Sequence, residues 1–106
     1  DQDHIPILVD NNTNIPDRTA AILGEGEDPL PELLKSADRL TDAGADFLIM
    51  GCNTAHYFLP RMMPHLKVPF VNMIEETAAF CARVRSPRPA SRRYSPRARP
   101  RRPSMR

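Results

Sequence analysis

The sequence predicts an α/β domain, a partial parallel sheet in a three-layer arrangement, followed by a disordered C-terminal tail. Three observations lead there. Short apolar runs at residues 5–9, 47–50 and 68–73 alternate with segments of helical spacing, the pattern of parallel strands joined by crossover helices. Gly, Pro and acidic clusters punctuate the joins. The character of the chain then changes abruptly. Residues 1–82 carry five basic side chains (Arg18, Lys35, Arg39, Arg61, Lys67) against all thirteen acidic ones, a net charge of −8. Residues 83–106 carry ten arginines and no acid, so the overall +2 of the 106-residue chain describes neither part. The expected organisation is one partial domain over residues 1–82 and a tail over 83–106.

The elements follow in order. Residues 5–9, Ile-Pro-Ile-Leu-Val, read as a buried strand that Asp10-Asn11-Asn12 ends, with Pro6 suited to an edge or a strand start. A short helix is expected from about Asp17 to Leu23, closed by Gly24. Asp28 is the expected N-cap of the next helix, and Pro29 and Pro31 fit its first turn, where missing N–H groups cost little. Leu30, Leu33, Leu34, Ala37 and Leu40 recur along one face, and Gly44 sits where a terminating glycine belongs. The run Phe47-Leu48-Ile49-Met50 predicts a strand covered on both faces. A short helix after Asn53 must break at Pro60, where a second turn begins. Residues 68–73 read as a strand and 74–83 as a helix, with Glu75 and Glu76 on the favourable side of its dipole. In the tail, five prolines, ten arginines and no hydrophobic period cannot offset the entropy of ordering.

About eighty core-forming residues bury only roughly 60% of their unfolded surface, so a small and marginal core is expected. No apolar run approaches the roughly 18–20 residues of a membrane span, and no signal peptide opens the chain. Two cysteines make no disulfide framework. A reducing, cytoplasmic setting with no membrane contact is the expectation.

The chemistry concentrates at Cys52. It ends the apolar run 47–50 and precedes a helical start, the edge of an open parallel sheet where ligands bind. Helix N–H groups facing the sulfur favour thiolate over thiol, and Asn53 and Thr54 supply neutral donors suited to a carboxylate or an enolate-like oxygen. Position alone leaves two readings open: a reactive thiol, or a small buried residue ending a strand. His56 stands four residues on, so one helix face carries both, but no second ligand pair exists and no metal site is expected. Packing, or support of a neighbouring site residue, is the reading for His56. Cys81, after Ala78-Ala79-Phe80, and the pair Met62 and Met63 read as packing.

Gly51-Cys52-Asn53-Thr54-Ala55-His56 closely resembles the Cys-Asn-Thr-Ala-His motif of the aspartate/glutamate racemase family. Upstream, Ile15-Pro16-Asp17-Arg18-Thr19, preceded by Asn11-Asn12-Thr13-Asn14, resembles that family's substrate-binding loop. The resemblance covers roughly residues 1–80. It implies one half of a two-domain racemase fold and cofactor-independent racemisation of aspartate or glutamate by two cysteines, one on each face of the α-carbon. Removing an α-proton needs a base against one face and a conjugate acid on the other. With no cofactor as electron sink, fixed donors and positive charge must stabilise the carbanion. By the resemblance, Cys52 is one of the two catalytic cysteines. Arg18 clamps a substrate carboxylate with its planar fork, and Asn53 and Thr54 bind the α-carboxylate. Asn11 and Asn14 are further substrate-binding candidates. The resemblance implies a small acidic amino acid as the partner and, in the intact family only, allows a homodimer; it leaves the oligomeric state of this chain open.

The sequence also departs from the family. The glycine-rich strand and loop that opens family members is not matched, nor is the second half with its Gly-Cys-Thr-Glu-like motif; Cys81 has no such neighbours. The expectation is a member truncated at both ends, with exposed apolar surface and no competent racemase activity of its own. A different class of function remains beside it. The arginine-rich tail suits a small basic-tailed protein binding nucleic acid or acidic surfaces non-specifically and salt-dependently. An out-of-frame reading of a GC-rich gene would produce the same tail composition.

Overall fold

A computed structural model describes residues 2–85, so the arginine-rich stretch expected as a tail lies outside the described residues apart from its first three positions. Among the described residues, four α-helices, α1 (Arg18–Ile22), α2 (Leu30–Asp42), α3 (Leu59–Met62) and α4 (Met73–Val84), and two 3₁₀ turns, Thr54–Phe58 and Met63–His65, make up the regular structure apart from a single β-bridge. None of these helices is long and apolar enough to cross a membrane.

Each helix begins and ends on local chemistry. Asp17 caps α1 by accepting from the Ala20 N–H at 3.1 Å. Asp28 stands one residue before the start expected of it. Pro29 occupies the N-cap position of α2, while the Asp28 carboxylate accepts from the Leu30 N–H at 3.1 Å. At the far end the Gly44 N–H reaches the Thr41 carbonyl and the Ala45 N–H the Leu40 carbonyl, both at 3.0 Å. That crossed pair is a Schellman stop, and it holds Gly44 at φ +101°, a conformation natural to glycine. Pro60 falls in the first turn of α3, directly after the 3₁₀ turn, so the helical run bends there without losing an interior hydrogen bond.

The core is small. Leu33 of α2, Phe58 of the 3₁₀ turn, and Leu59 and Met62 of α3 are buried together. Ile15, Ile22, Leu30, Leu34, Met50, Leu66 and Phe70 pack around them. Met62 is filler as expected, 2% exposed, while its neighbour Met63 stands half in solvent. Two charged forks brace this unit. Arg61 donates to both carboxylate oxygens of Asp28, at 3.2 and 2.7 Å, tying α3 to the head of α2. Arg39 grips Asp10 through three bonds of 3.0–3.3 Å and ties the end of residues 5–10 to the last turn of α2. Arg39 beside Asp10 and Arg61 beside Asp28 hold those carboxyls below their ordinary values. Lys35, with Asn12, does the same for Glu32.

Among the described residues one β-bridge forms, a parallel one between Leu48 and Phe70. The Leu48 N–H donates to the Pro69 carbonyl and its own carbonyl accepts from Val71, both at 2.9 Å. Leu48 is buried, but Phe47 and Ile49 on the opposite face are 52% and 70% exposed, so the run expected to be covered on both faces is covered on one. Residues 5–9, expected as a buried strand, have no backbone ladder, and Ile5, Ile7 and Val9 are each more than 70% exposed. The physical reason is plain: no described element lies across their faces. An apolar cavity of about 320 Å³ separates Ile7, Leu8 and Val9 from Leu48, Ile49 and Met50, with Leu33, Ala37 and Leu40 of α2 among its walls.

Helix α4 is the other open region. Asn72 caps it by accepting from the N–H groups of Ile74 and Glu75, at 3.0 and 3.1 Å, and Glu75 and Glu76 occupy the first turn as expected. It buries no side chain. Cys81, read from the sequence as a packing residue, is exposed because no described element covers its face.

Candidate active site

Cys52 follows the bridged segment directly and precedes the 3₁₀ turn, and its side chain is partly exposed. Asn53 occupies the N-cap position of that turn without making a side-chain cap. Asn53 and Thr54 both face solvent, and among the described residues neither side chain has a hydrogen-bond partner. Three adjacent polar side chains are therefore presented together, with their hydrogen-bonding capacity unspent.

The second cluster lies on the loop before α1 and on Arg18, the first residue of α1, and α1 packs against the 3₁₀ turn Thr54–Phe58. Arg18 is half-buried, and its Nη1 donates to the Ile15 and Pro16 carbonyls at 3.4 and 3.3 Å. Those bonds fold the guanidinium back along its own loop and leave most of its five donors free. Asn12, not singled out from the sequence, organises that loop. Its Nδ2 donates to Ser36 Oγ at 3.0 Å and to Glu32 Oε2 at 3.2 Å, and its Oδ1 accepts from the Asn14 N–H at 2.9 Å. Asn11 and Asn14 are exposed on either side of it. No hydrogen bond joins the Arg18 loop to Cys52, Asn53 or Thr54 among the described residues. The apolar cavity is lined by none of these six candidates; it reaches Gly51 and stops short of Cys52.

His56 is the member whose role sequence spacing left open. It is 5% exposed, and both ring nitrogens are engaged: Nδ1 lies 2.7 Å from the Cys52 carbonyl and Nε2 3.1 Å from the Met73 N–H. The ring meets Phe70 edge-on at 6.2 Å between centroids. With both nitrogens occupied by main chain, His56 has no lone pair to offer a metal. No three His, Cys, Asp or Glu side chains gather where they could hold one among the described residues. The one signal in the sequence was the four-residue step from Cys52 to His56, which lets a helical side chain return to an earlier carbonyl.

Comparison with known proteins defines the class. The family model of the Asp/Glu/hydantoin racemases matches residues 1–91, and the chain belongs to that family. It is also similar to the broad specificity amino-acid racemase RacX of Bacillus subtilis (strain 168), at 36% identity over 45 residues, which is 42% of this chain and 20% of that protein. The aligned stretch thus spans about a fifth of the length of that curated relative.

Proposed function

We propose that this chain carries one half of a cofactor-independent amino-acid racemase site, with Cys52 as the base, or its conjugate acid, on one face of the substrate α-carbon. The observation that carries the reading is the partly exposed Cys52 thiol beside two unpartnered polar side chains, Asn53 and Thr54, at the end of a hydrogen-bonded segment. A proton-transfer base needs access and a fixed backbone, and the oxygen that gains charge needs donors already in place. Asn53 and Thr54 supply those donors for the α-carboxylate. Arg18, with donors to spare, takes a second carboxylate, which makes aspartate or glutamate the substrate class. Asn11 and Asn14 line the approach. The domain around the site is a partial α/β layer in which the Leu48–Phe70 bridge is one rung of a parallel sheet.

One cysteine serves one face. Cys81 lies on α4, exposed and without polar neighbours of the kind that flank Cys52, and takes no part. The expected reaction of this chain with aspartate or glutamate in deuterium oxide is slow exchange of the α-proton with retained configuration. That exchange should vanish in Cys52→Ala. Exchange that survives the substitution removes Cys52 from the role, and net inversion that depends on Cys52 shows that a second acid acts within this chain.

A further inference from the structure

We propose that His56 is a positioning residue: a neutral imidazole, with its proton on Nδ1, that clamps the Cys52 main chain to the first turn of α4 and is not the proton partner of the Cys52 thiol. The inference builds on the proposed role of Cys52, but its tests do not require turnover.

Hydrogen-bond direction fixes the tautomer. The Cys52 carbonyl can only accept, so Nδ1, 2.7 Å away, must carry a hydrogen. The Met73 N–H can only donate, so Nε2, 3.1 Å away, must present a lone pair. A doubly protonated ring would set N–H against N–H at Met73, and the opposite tautomer would fail at both ends. At 5% exposure the ring has little access to solvent that could substitute for either bond. The two anchors are distant in sequence: Cys52 follows one partner of the Leu48–Phe70 bridge, and Met73 stands shortly after the other. His56 thus continues across the site the tie that the bridge begins, and its ring rests on Phe70 of that bridge. A cysteine activated by a histidine needs a free ring nitrogen facing the sulfur. Here both nitrogens are held by backbone, so activation of Cys52 falls to other groups.

Two variants separate the clamp from a Cys–His pair. In His56→Asn the side-chain amide stands near the Nδ1 position and keeps the bond to the Cys52 carbonyl. In His56→Gln the carbonyl oxygen stands near the Nε2 position and keeps the bond from Met73. With Cys81→Ser removing the other thiol, iodoacetamide labelling of Cys52 should accelerate about fivefold in His56→Gln, the scale of one net hydrogen bond, and change little in His56→Asn. Amide exchange at Met73 should show the reverse order, faster in His56→Asn than in His56→Gln. Long-range proton–nitrogen NMR on the unsubstituted full chain should show the neutral ring protonated at Nδ1. A ring protonated at Nε2, or slower Cys52 labelling in both variants, overturns the clamp and installs His56 as a proton partner. Deuterium exchange into aspartate reads the racemase proposal separately, since its absence would leave the tautomer and the crossed pattern standing.

Discussion

Helices α2 and α4 are nearly equal in length, 13 and 12 residues, and both start on good local signals, yet only one is part of a core. Helix α2 buries Leu33 and Ala37 and is laced to its surroundings through Asp28, Glu32, Ser36 and Arg39. Helix α4 has the better N-cap, two side-chain bonds from Asn72, and buries nothing. Capping decides where a helix starts. Burial decides what the fold loses when the helix goes.

The largest test of that difference is a pair of truncations. Met62→Ala empties a site 2% exposed in the cluster against which α2 packs and should cost about 2–5 kcal/mol by denaturant titration. Phe80→Ala on α4, 57% exposed, should stay within about 0.5 kcal/mol. Equal losses would mean that α4 is packed in solution and that the comparison fails. A smaller pair sets the helix ends against each other. At Gly44 an added Cβ meets nothing within 4 Å, so Gly44→Ala isolates the cost of the left-handed backbone, about 1–2 kcal/mol of global stability. Asn72→Ala removes a cap worth about 1 kcal/mol. Because α4 is unpacked, that loss should appear as lower helicity and faster amide exchange in α4, with the midpoint of core unfolding unmoved.

The smallest effect is with pH. Asp10, Asp28 and Glu32 are held below ordinary values of 3.8, 3.8 and 4.5 by Arg39, Arg61 and Lys35 respectively. Below those ordinary values the unfolded chain binds protons that the folded chain resists. The stabilisation they add is therefore complete above about pH 5, and it fades as pH falls through the ordinary carboxylate values and then the lowered ones. Two of the three pairs, Asp10–Arg39 and Asp28–Arg61, tie α2 and its head to their surroundings, so an acid titration followed by NMR should show those attachments loosen. A flat response from pH 5 to pH 3 would show that these exposed pairs do not contribute.

Most helix boundaries are legible because their determinants are local: Asp17, Pro29, Gly44 and Pro60 act within a few residues of themselves, whereas Asn72, which caps α4, reads in the sequence as part of an apolar strand-like run. The two short motifs around Arg18 and Cys52 were legible for a related reason, since each is a contiguous string. Burial was not. Apolar spacing at residues 5–9 and along 78–81 says that a side chain suits a core, and it cannot say whether another element arrives to make one. The engagement of His56 escaped because one of its two partners, Met73, is seventeen residues away and is a backbone amide with no sequence signature. Nothing in the sequence sets Asn12 apart from Asn11 and Asn14, because three asparagines in one loop look alike until α2 is placed beside them.

The start of α4 has a consequence for where a negatively charged ligand can sit. A helix N-terminus ordinarily offers three or four unclaimed amides to an anion. Here the Met73 amide is spent on His56 and those of Ile74 and Glu75 on Asn72. Helix α4 is thereby chemically saturated at its positive end and closed to anions. An anion at this edge would therefore have to turn to groups other than the head of α4, and the exposed side chains of Asn53 and Thr54, which make no hydrogen bond among the described residues, stand directly after Cys52.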